Sequence, residues 1–189
     1  MKRIRVIPAL LLHQKGLVKS VRFRDYKYVG DPMNAVRIFN EKEVDELAII
    51  DIDATRDKRS PDVARIASIV SEAFMPIAYG GGISKVEEAE GILLNGAEKV
   101  IINKSAVTDS GLISEIARRF GTQSVVISID FKKTFFGSVY VFTDNGKTNT
   151  HLDPVTFARQ MEQAGAGEIL LNSIDRDGTF GGYDLDMIR

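Results

Sequence analysis

The sequence predicts an α/β fold built on a parallel sheet, and two observations support it. Short apolar runs rich in β-branched residues alternate with longer segments of helical period along the 189 residues, as in repeated strand–helix units. The start of the chain also recurs later. Residues 46–53 (ELAIIDID) match residues 168–175 (EILLNSID) at an offset of 122, and Val6-Ile7 match Val125-Val126 at an offset of 119.

Six strands are predicted from the apolar runs, at residues 5–10, 47–52, 76–79, 99–103, 124–129 and 168–172. Residues 137–150 depart from the strand–helix alternation, because they alternate in polarity around Asn145-Gly146. That pattern predicts a β-hairpin after the fifth strand.

Capping residues mark the helix boundaries. Asp31-Pro32 and Asp153-Pro154 each place an acid before a first-turn proline, and Ser84 with Glu87 predicts a capping box. Left-handed helix ends are predicted at three glycines, Gly96, Gly121 and Gly165.

The repeat sets the expected size of the fold. Four strand–helix units in roughly 120 residues imply about 240 for two halves, near the ~250 of a (βα)₈ barrel. We therefore expect one barrel domain of two repeated half-barrels, about 1–121 and 122–189, truncated after the sixth strand and without its C-terminal two units. The alternative is a complete six-stranded open α/β domain.

The amino-acid composition disfavours several classes of function. The 25 basic and 26 acidic residues give a net charge of −1, which disfavours nucleic acid as a partner. The chain has no cysteine and two histidines, so we expect no metal and no cofactor. The absence of cysteine is compatible with a reducing cytosol, so we expect a cytoplasmic protein. The apolar run 6–12 contains Pro8 and is too short to span a bilayer, so we expect no membrane contact.

Candidate chemistry lies where the strands end, because barrel active sites form there. Asp130 directly follows the fifth strand and is a candidate acid or base, or else a structural cap. The glycines at 80–82 stand between a strand and a capped helix, which predicts phosphate binding or simply a tight turn. Residues 13–30, with Lys19, predict a mobile anion-attracting lid or a solvated loop.

Charged residues also mark the opposite ends of the strands. Two cations and two anions stand at strand starts, where inward-pointing side chains would converge and must pair: Arg5, Glu46, Lys99 and Glu168. We expect them to form a ring on the barrel floor. The alternative is independent surface charges.

These residues resemble the cyclase subunit family of imidazole glycerol phosphate synthase, a (βα)₈ barrel of histidine biosynthesis. The motifs that carry the resemblance span nearly the whole chain: Arg5-Val-Ile-Pro8, Gly30-Asp-Pro32, Asp45-Glu46-Leu47, Asp51-Ile-Asp53, Gly80-Gly-Gly-Ile83, residues 99–103, Ser128-Ile-Asp130, Gly165-Ala-Gly-Glu-Ile-Leu170 and Ser173-Ile-Asp-Arg-Asp-Gly-Thr179.

The resemblance implies an ammonia-accepting reaction. A glutaminase docked on the N-terminal face would send ammonia through a gate of Arg5, Glu46, Lys99 and Glu168 to a phosphorylated or nucleotide-linked small molecule at the other end. Lys19 would be the lid lysine and Asp130 one catalytic acid or base. The substrate would be held at Gly81, Gly82, Asn103, Lys104, Asn172, Asp177 and Gly178.

Two positions depart from the family pattern. Leu11 stands where a second catalytic aspartate is expected, and Lys104 where a small hydroxyl residue is expected. The sequence keeps all four gate residues but has only one of the two catalytic acids. In this combination it resembles the paralogous branch of the family that is associated with amidation of surface-polysaccharide sugars. The alternatives are the histidine-pathway cyclase itself, with Asp51 or Asp53 replacing the lost acid, and a non-catalytic scaffold that activates a glutaminase. A phosphate-sugar isomerase would not explain the charged ring.

Overall fold

The computed structural model describes residues 4–189 and shows an α/β fold in which this part of the chain forms ten β-strands and seven α-helices. It divides into two compact units. The first contains residues 4–18 and 28–101, and the second contains residues 19–27 and 102–189. No helix within residues 4–189 has both the length and the apolar content that a membrane span needs.

The first unit is a parallel sheet with helices between its strands. The strand β4 pairs in parallel with β1 on one side and with β5 on the other, and β5 pairs with β6. The strand β2 lies antiparallel on the other edge of β1. The elements are β1 (Ala9–His13), β2 (Gly16–Val21), β3 (Arg24–Gly30), α1 (Pro32–Glu41), β4 (Leu47–Asp51), α2 (Val63–Val70), β5 (Ile77–Gly80), α3 (Val86–Leu94) and β6 (Lys99–Ile102).

The second unit has a parallel pair extended by antiparallel strands. The strand β10 is parallel to β7, β8 is antiparallel on the other side of β7, and β9 pairs with β8. Its elements are α4 (Lys104–Thr108), α5 (Ser110–Phe120), a 3₁₀ turn (Thr122–Ser124), β7 (Val125–Lys133), β8 (Val139–Thr143), β9 (Thr148–Asn149), α6 (Pro154–Ala164), β10 (Glu168–Ser173) and α7 (Leu185–Ile188).

The sequence repeat is also a repeat of strand register. All four residue pairs between β1 and β4 recur between β7 and β10, at the same offsets of 119 and 122. In particular, Leu11 pairs with Ile50 and Asp130 pairs with Asn172. Each of the two also faces an antiparallel neighbour, Val18 for Leu11 and Phe142 for Asp130. Leu11 and Asp130 therefore occupy equivalent places in the two units.

Two predictions about the first strand and its loop were wrong. The strand predicted at residues 5–10 is Ala9–His13, and residues 13–30, predicted as a loop, contain the hairpin strands β2 and β3. A lid role for this hairpin stays a prediction. The hairpin turns at Arg22 and Phe23, which both have a positive φ although neither is a glycine. The sequence therefore lacked the glycine signal that usually marks such a turn.

Most of the predicted boundaries are confirmed. Asp31 and Asp153 accept hydrogen bonds from backbone N–H groups in the first turns of α1 and α6. The capping box lies one residue later than predicted, because Glu88 rather than Glu87 accepts from the Ser84 and Lys85 N–H groups. The three helix-ending glycines and the Asn145-Gly146 turn between β8 and β9 have positive φ.

Candidate active site

Asp130 lies in β7 between Ile129 and Phe131 in sequence, and both of these neighbours are buried. Asn103 Nδ2 donates to Asp130 Oδ2 at 3.1 Å, and Ser128 Oγ approaches Oδ1 at 3.4 Å. Burial raises the pKa of Asp130 from 3.8 to about 7, even though these hydrogen bonds oppose the shift. A carboxyl group with this pKa can both accept and donate a proton near neutral pH.

Three further predicted site residues surround Asp130 in the second unit. Asn103 also donates to the Ser128 carbonyl at 2.9 Å, so its amide is held beside Asp130 by two acceptors. Asn172 is the register partner of Asp130 and hydrogen-bonds its carboxyl group, which favours the ionised form. The negative charge of Asp177 acts in the opposite direction and raises the pKa of Asp130.

Asp177 also ties the tip of the β2–β3 hairpin to the loop after β10. Its Oδ2 accepts from Ser20 Oγ at 2.7 Å and from the Phe23 N–H at 3.2 Å. A Cβ at the neighbouring Gly178, where φ is +66°, would collide with the Ser20 carbonyl oxygen. The close approach of the two loops therefore requires glycine at this position.

A cavity of about 370 Å³ lies beside these residues in the second unit. Three predicted substrate-holding residues line it, namely Asn172, Asp177 and Gly178, together with Phe131, Arg176 and Tyr183. The wall thus combines apolar rings with amide, carboxylate and guanidinium groups, as is typical of a small-molecule site.

The two predicted lysines lie in different surroundings. Lys104 Nζ contacts Asp144 Oδ1 at 2.7 Å, and the hydrogen bond from Lys104 lowers the pKa of Asp144. The charge of Lys104 is therefore partly balanced within the protein. Lys19 is exposed on β2, directly before Ser20.

The glycines after β5 make close contacts with a neighbouring loop. A Cβ at Gly81 would collide with the Asp51 carbonyl oxygen, and a Cβ at Gly82 would lie 2.5 Å from the Arg59 carbonyl oxygen. The Gly82 N–H donates to Thr55 Oγ1 at 3.3 Å. Packing therefore accounts for both glycines, and phosphate binding at this turn stays a prediction.

Three of the four predicted gate residues form a cluster in the first unit. Glu46 Oε2 accepts from Arg5 at 2.9 Å and from Lys99 Nζ at 2.8 Å. Glu46 and Lys99 are buried, with 4% and 8% of their surfaces exposed. The fourth predicted residue, Glu168, is the first residue of β10 in the second unit.

The two acids that could replace a carboxylate at Leu11 have structural contacts. Asp51 Oδ1 accepts from the Asp53 and Ala54 N–H groups, and its Oδ2 lies 3.3 Å from Arg59. Asp53 is 1% exposed, and its Oδ2 accepts from the Gln14 N–H at 2.7 Å.

Asp53 also reveals a contact that the sequence reasoning missed. His13 Nδ1 lies 2.9 Å from Asp53 Oδ1, and Arg56 lies 3.0 Å from the same oxygen. The repeat gives no signal for the His13 contact, because the residue equivalent to His13 is Lys132, although Asp53 and Asp175 match at the offset of 122.

Comparison with known proteins identifies the family. A family model described as histidine biosynthesis protein matches residues 5–189. A Pseudomonas aeruginosa protein named, provisionally, imidazole glycerol phosphate synthase subunit hisF2 is 55% identical over all 189 residues, which cover 75% of its length.

The chain belongs to the HisF family. Two further relatives support this family assignment. A Vibrio vulnificus protein with the provisional name subunit hisF3 is 51% identical over the whole chain and 73% of its own length. The imidazole glycerol phosphate synthase subunit HisF of Alkaliphilus metalliredigens is 42% identical over 98% of this chain and 73% of its own. The chain is thus a HisF-type cyclase subunit and spans about three quarters of these relatives.

We predict that Asp130 titrates near pH 7. Its carboxyl ¹³C resonance, assigned by its loss in Asp130→Asn, should have a midpoint about 3 units above that of an ordinary aspartate. Because folding favours the protonated acid, the free energy of unfolding should fall between about pH 4 and pH 7 and then level off, and Asp130→Asn should reduce this fall. A midpoint near pH 4 would contradict the prediction.

Proposed function

We propose that this HisF-family chain is the ammonia-accepting subunit of a glutamine amidotransferase and that it serves amidation of a surface-polysaccharide sugar. The chemical change would convert an acetamido group into an acetamidino group. One observation carries the proposal: Leu11 occupies the register position that Asp130 occupies in the other unit. Half of the repeated acid–base pair is therefore replaced by an alkyl side chain.

Loss of that acid disfavours the histidine-pathway reaction. Elimination of a leaving group with closure of an imidazole ring needs two positioned proton-transfer groups, each worth about 10²–10⁴ in rate. Leu11 can supply neither a donor nor an acceptor, and its strand neighbours Val18 and Ile50 are apolar. The contacts of Asp51 and Asp53 with backbone N–H groups and arginines hold those carboxylates in place as loop anchors.

The buried charges support a route for ammonia. Burying Glu46 and Lys99 costs desolvation free energy, and such pairs add little net stability compared with apolar residues. Their presence beside Arg5 is better explained by function than by stability. We propose that Arg5, Glu46 and Lys99, with Glu168, form the gate that admits ammonia.

Exposed apolar side chains support a partner at the same end of the sheet. Phe74 is 91% exposed before β5, and Ile4 and Val6 flank Arg5 with 89% and 61% exposure. Leu94 is 74% exposed at the end of α3. Large exposed apolar groups around a charged centre are typical of protein interfaces. We propose that a glutaminase subunit docks here.

The substrate would bind at the opposite ends of the strands. A phosphorylated or nucleotide-linked small molecule would contact Asn103, Asn172, Asp177 and Gly178, close to Asp130. The Gly81 N–H at the turn after β5 would be a separate donor for a phosphate. Lys19 and Lys104 would add positive charge.

The histidine-pathway cyclase is the second candidate. It is favoured by the 42% identity to the Alkaliphilus metalliredigens HisF subunit. A scaffold that only activates a glutaminase is the third, and it would stimulate glutamine hydrolysis without any turnover of its own.

We predict that the protein, expressed from its natural reading frame, does not convert the phosphoribulosyl formimino aminoimidazole precursor with ammonium salt at alkaline pH. The variant Leu11→Asp should gain this activity by at least about 10²-fold, because it restores the second acid. Leu11→Asn, which has nearly the same shape without the acid, is the matched control. Turnover by the unaltered protein would make it a histidine-pathway cyclase.

We also predict that Phe74→Ser weakens glutaminase binding by at least about tenfold, because an exposed aromatic anchor would be lost. Phe135→Ser is the matched control, since Phe135 is 98% exposed but lies in the turn between β7 and β8, beyond the opposite end of the strands. Titration calorimetry measures the affinity of both variants for the glutaminase. Equal losses in the two variants, or none in Phe74→Ser, would contradict the proposed docking face.

A further inference from the structure

The antiparallel strands of the second unit carry a row of polar side chains beside Asp130. We propose that this row, made of Lys132, Tyr140 and His151, binds the diphosphate of a nucleoside diphosphate-linked acetamido sugar. The inference rests on the proposed function and deepens it, because it selects a nucleotide-linked substrate over a sugar monophosphate. The three residues are called the ribbon row below, and all of them belong to the second unit.

The strand register defines two rows on one face of the sheet. Consecutive register partners across β10, β7, β8 and β9 form the first row: Asn172, Asp130, Phe142 and Asn149. Two residues further along β7, Lys132 pairs with Tyr140. Register partners project to the same side, as do residues two apart in a strand. The ribbon row therefore lies beside the row of Asp130, about 6.6 Å further along β7.

This face of the sheet is only partly covered. Lys132 and Tyr140 are half-buried, and His151 is exposed. Phe131 and Val141, which project to the opposite side, are 3% and 0% exposed. The opposite side therefore belongs to the core, whereas the ribbon row has surface left for a ligand.

Lys132 supplies a cation that is not neutralised within residues 4–189. Its Nζ lies 5.9 Å from the centre of the Phe142 ring, and it makes no ion pair in this part of the chain. Lys104 differs, because its Nζ lies 2.7 Å from Asp144 Oδ1. An ammonium group over an aromatic ring keeps its N–H donors for an anion. Lys132 is therefore the better anion-binding lysine of the two.

His151 lies on the other side of Tyr140. The two ring centroids are 5.6 Å apart, and the rings meet edge to face at 65°. The backbone of His151 has a φ of +58°, and its N–H donates to Asn149 Oδ1 at 2.8 Å. This turn holds the imidazole beside Tyr140. The phenol, an O–H donor, thus stands between two side chains that can carry positive charge.

Two adjacent phosphates match the ribbon row better than one. Neighbouring strands are about 4.8 Å apart, so a single phosphate beside Lys132 would not also reach His151 on the far side of Tyr140. The two negative groups of a diphosphate can contact both ends of the row.

The spacing of the rows also fits the sugar. In a nucleoside diphosphate sugar, the sugar-side phosphorus is joined to the acetamido carbon through a bridging oxygen, two ring carbons and the amide nitrogen. That path is comparable with the row spacing of about 6.6 Å. A diphosphate on the ribbon row would therefore bring the acetamido group to Asp130 and Asn172, in the neighbouring row.

Titration calorimetry without ammonia or glutaminase tests the site on the protein from its natural reading frame. We expect uridine diphosphate N-acetylglucosamine to bind at least about tenfold more tightly than N-acetylglucosamine 1-phosphate. Lys132→Gln should weaken binding of the diphosphate sugar by at least about tenfold, because it removes the unpaired cation. Tyr140→Phe keeps the ring and should cause a smaller loss. His151→Asn, in which asparagine tolerates the positive φ, should also weaken binding of the diphosphate sugar.

Lys133→Gln is the matched control. Lys133 follows Lys132 in β7, carries the same charge and projects to the opposite side of the strand. Its substitution should change the affinity by less than about twofold. Equal losses in Lys132→Gln and Lys133→Gln would reduce the effect to general charge attraction and overturn the proposal. Equal affinities for the two sugars, or no binding of the diphosphate sugar, would overturn it as well.

The outcomes separate the ribbon row from the proposed function. The binding experiment contains no ammonia and needs no turnover, so its result stands by itself. Turnover of the phosphoribulosyl precursor by the unaltered protein would contradict the proposed function even if every expected change in affinity were found. Loss of the expected difference between Lys132→Gln and Lys133→Gln, with the precursor unconverted, would contradict the ribbon row alone.

Discussion

The structure depends on one contact that is made twice. At the ends of β1 and β7, a backbone N–H is held by an aspartate from the neighbouring loop: that of Gln14, which follows β1, by Asp53, and that of Lys133, the last residue of β7, by Asp175. Together with the duplicated parallel register, this contact gives the residues at the ends of β1 and β7 equivalent positions in the two halves. The side chains at these equivalent positions differ, so the two strand ends differ in chemistry.

The buried carboxyl groups of Asp130 and Glu46 have different partners, and they therefore suit different roles. Asp130 is enclosed with hydrogen-bond donors, and burial raises its pKa to about 7, so the carboxyl group can exchange a proton near neutral pH. Glu46 is enclosed with Arg5 and Lys99, so its charge is balanced by ion pairs. The first arrangement suits proton transfer, and the second suits the ammonia gate that we propose for Arg5, Glu46 and Lys99.

Much of the fold could be predicted from sequence because its signals are local. The caps at Asp31 and Asp153 and the repeat of residues 46–53 each depend on a few adjacent residues. The β2–β3 hairpin could not be predicted, because it turns at Arg22 and Phe23 rather than at glycine. At the site, Asp130, Asn103 and Asn172 were predicted and lie together. The pair of His13 with Asp53 was missed because forty residues separate them and only strand pairing brings them into contact.

The central claim is that Leu11, at the position equivalent to Asp130, redirects a HisF-type site from ring closure to amidation. The most direct measurement is a competition in one vessel, with ¹⁵N-ammonium, the phosphoribulosyl precursor and a nucleotide-linked acetamido sugar offered together to the protein from its natural reading frame. Mass spectrometry then shows which product carries the label. The account predicts ¹⁵N in an acetamidino sugar and none in imidazole glycerol phosphate. Label in imidazole glycerol phosphate alone would contradict it.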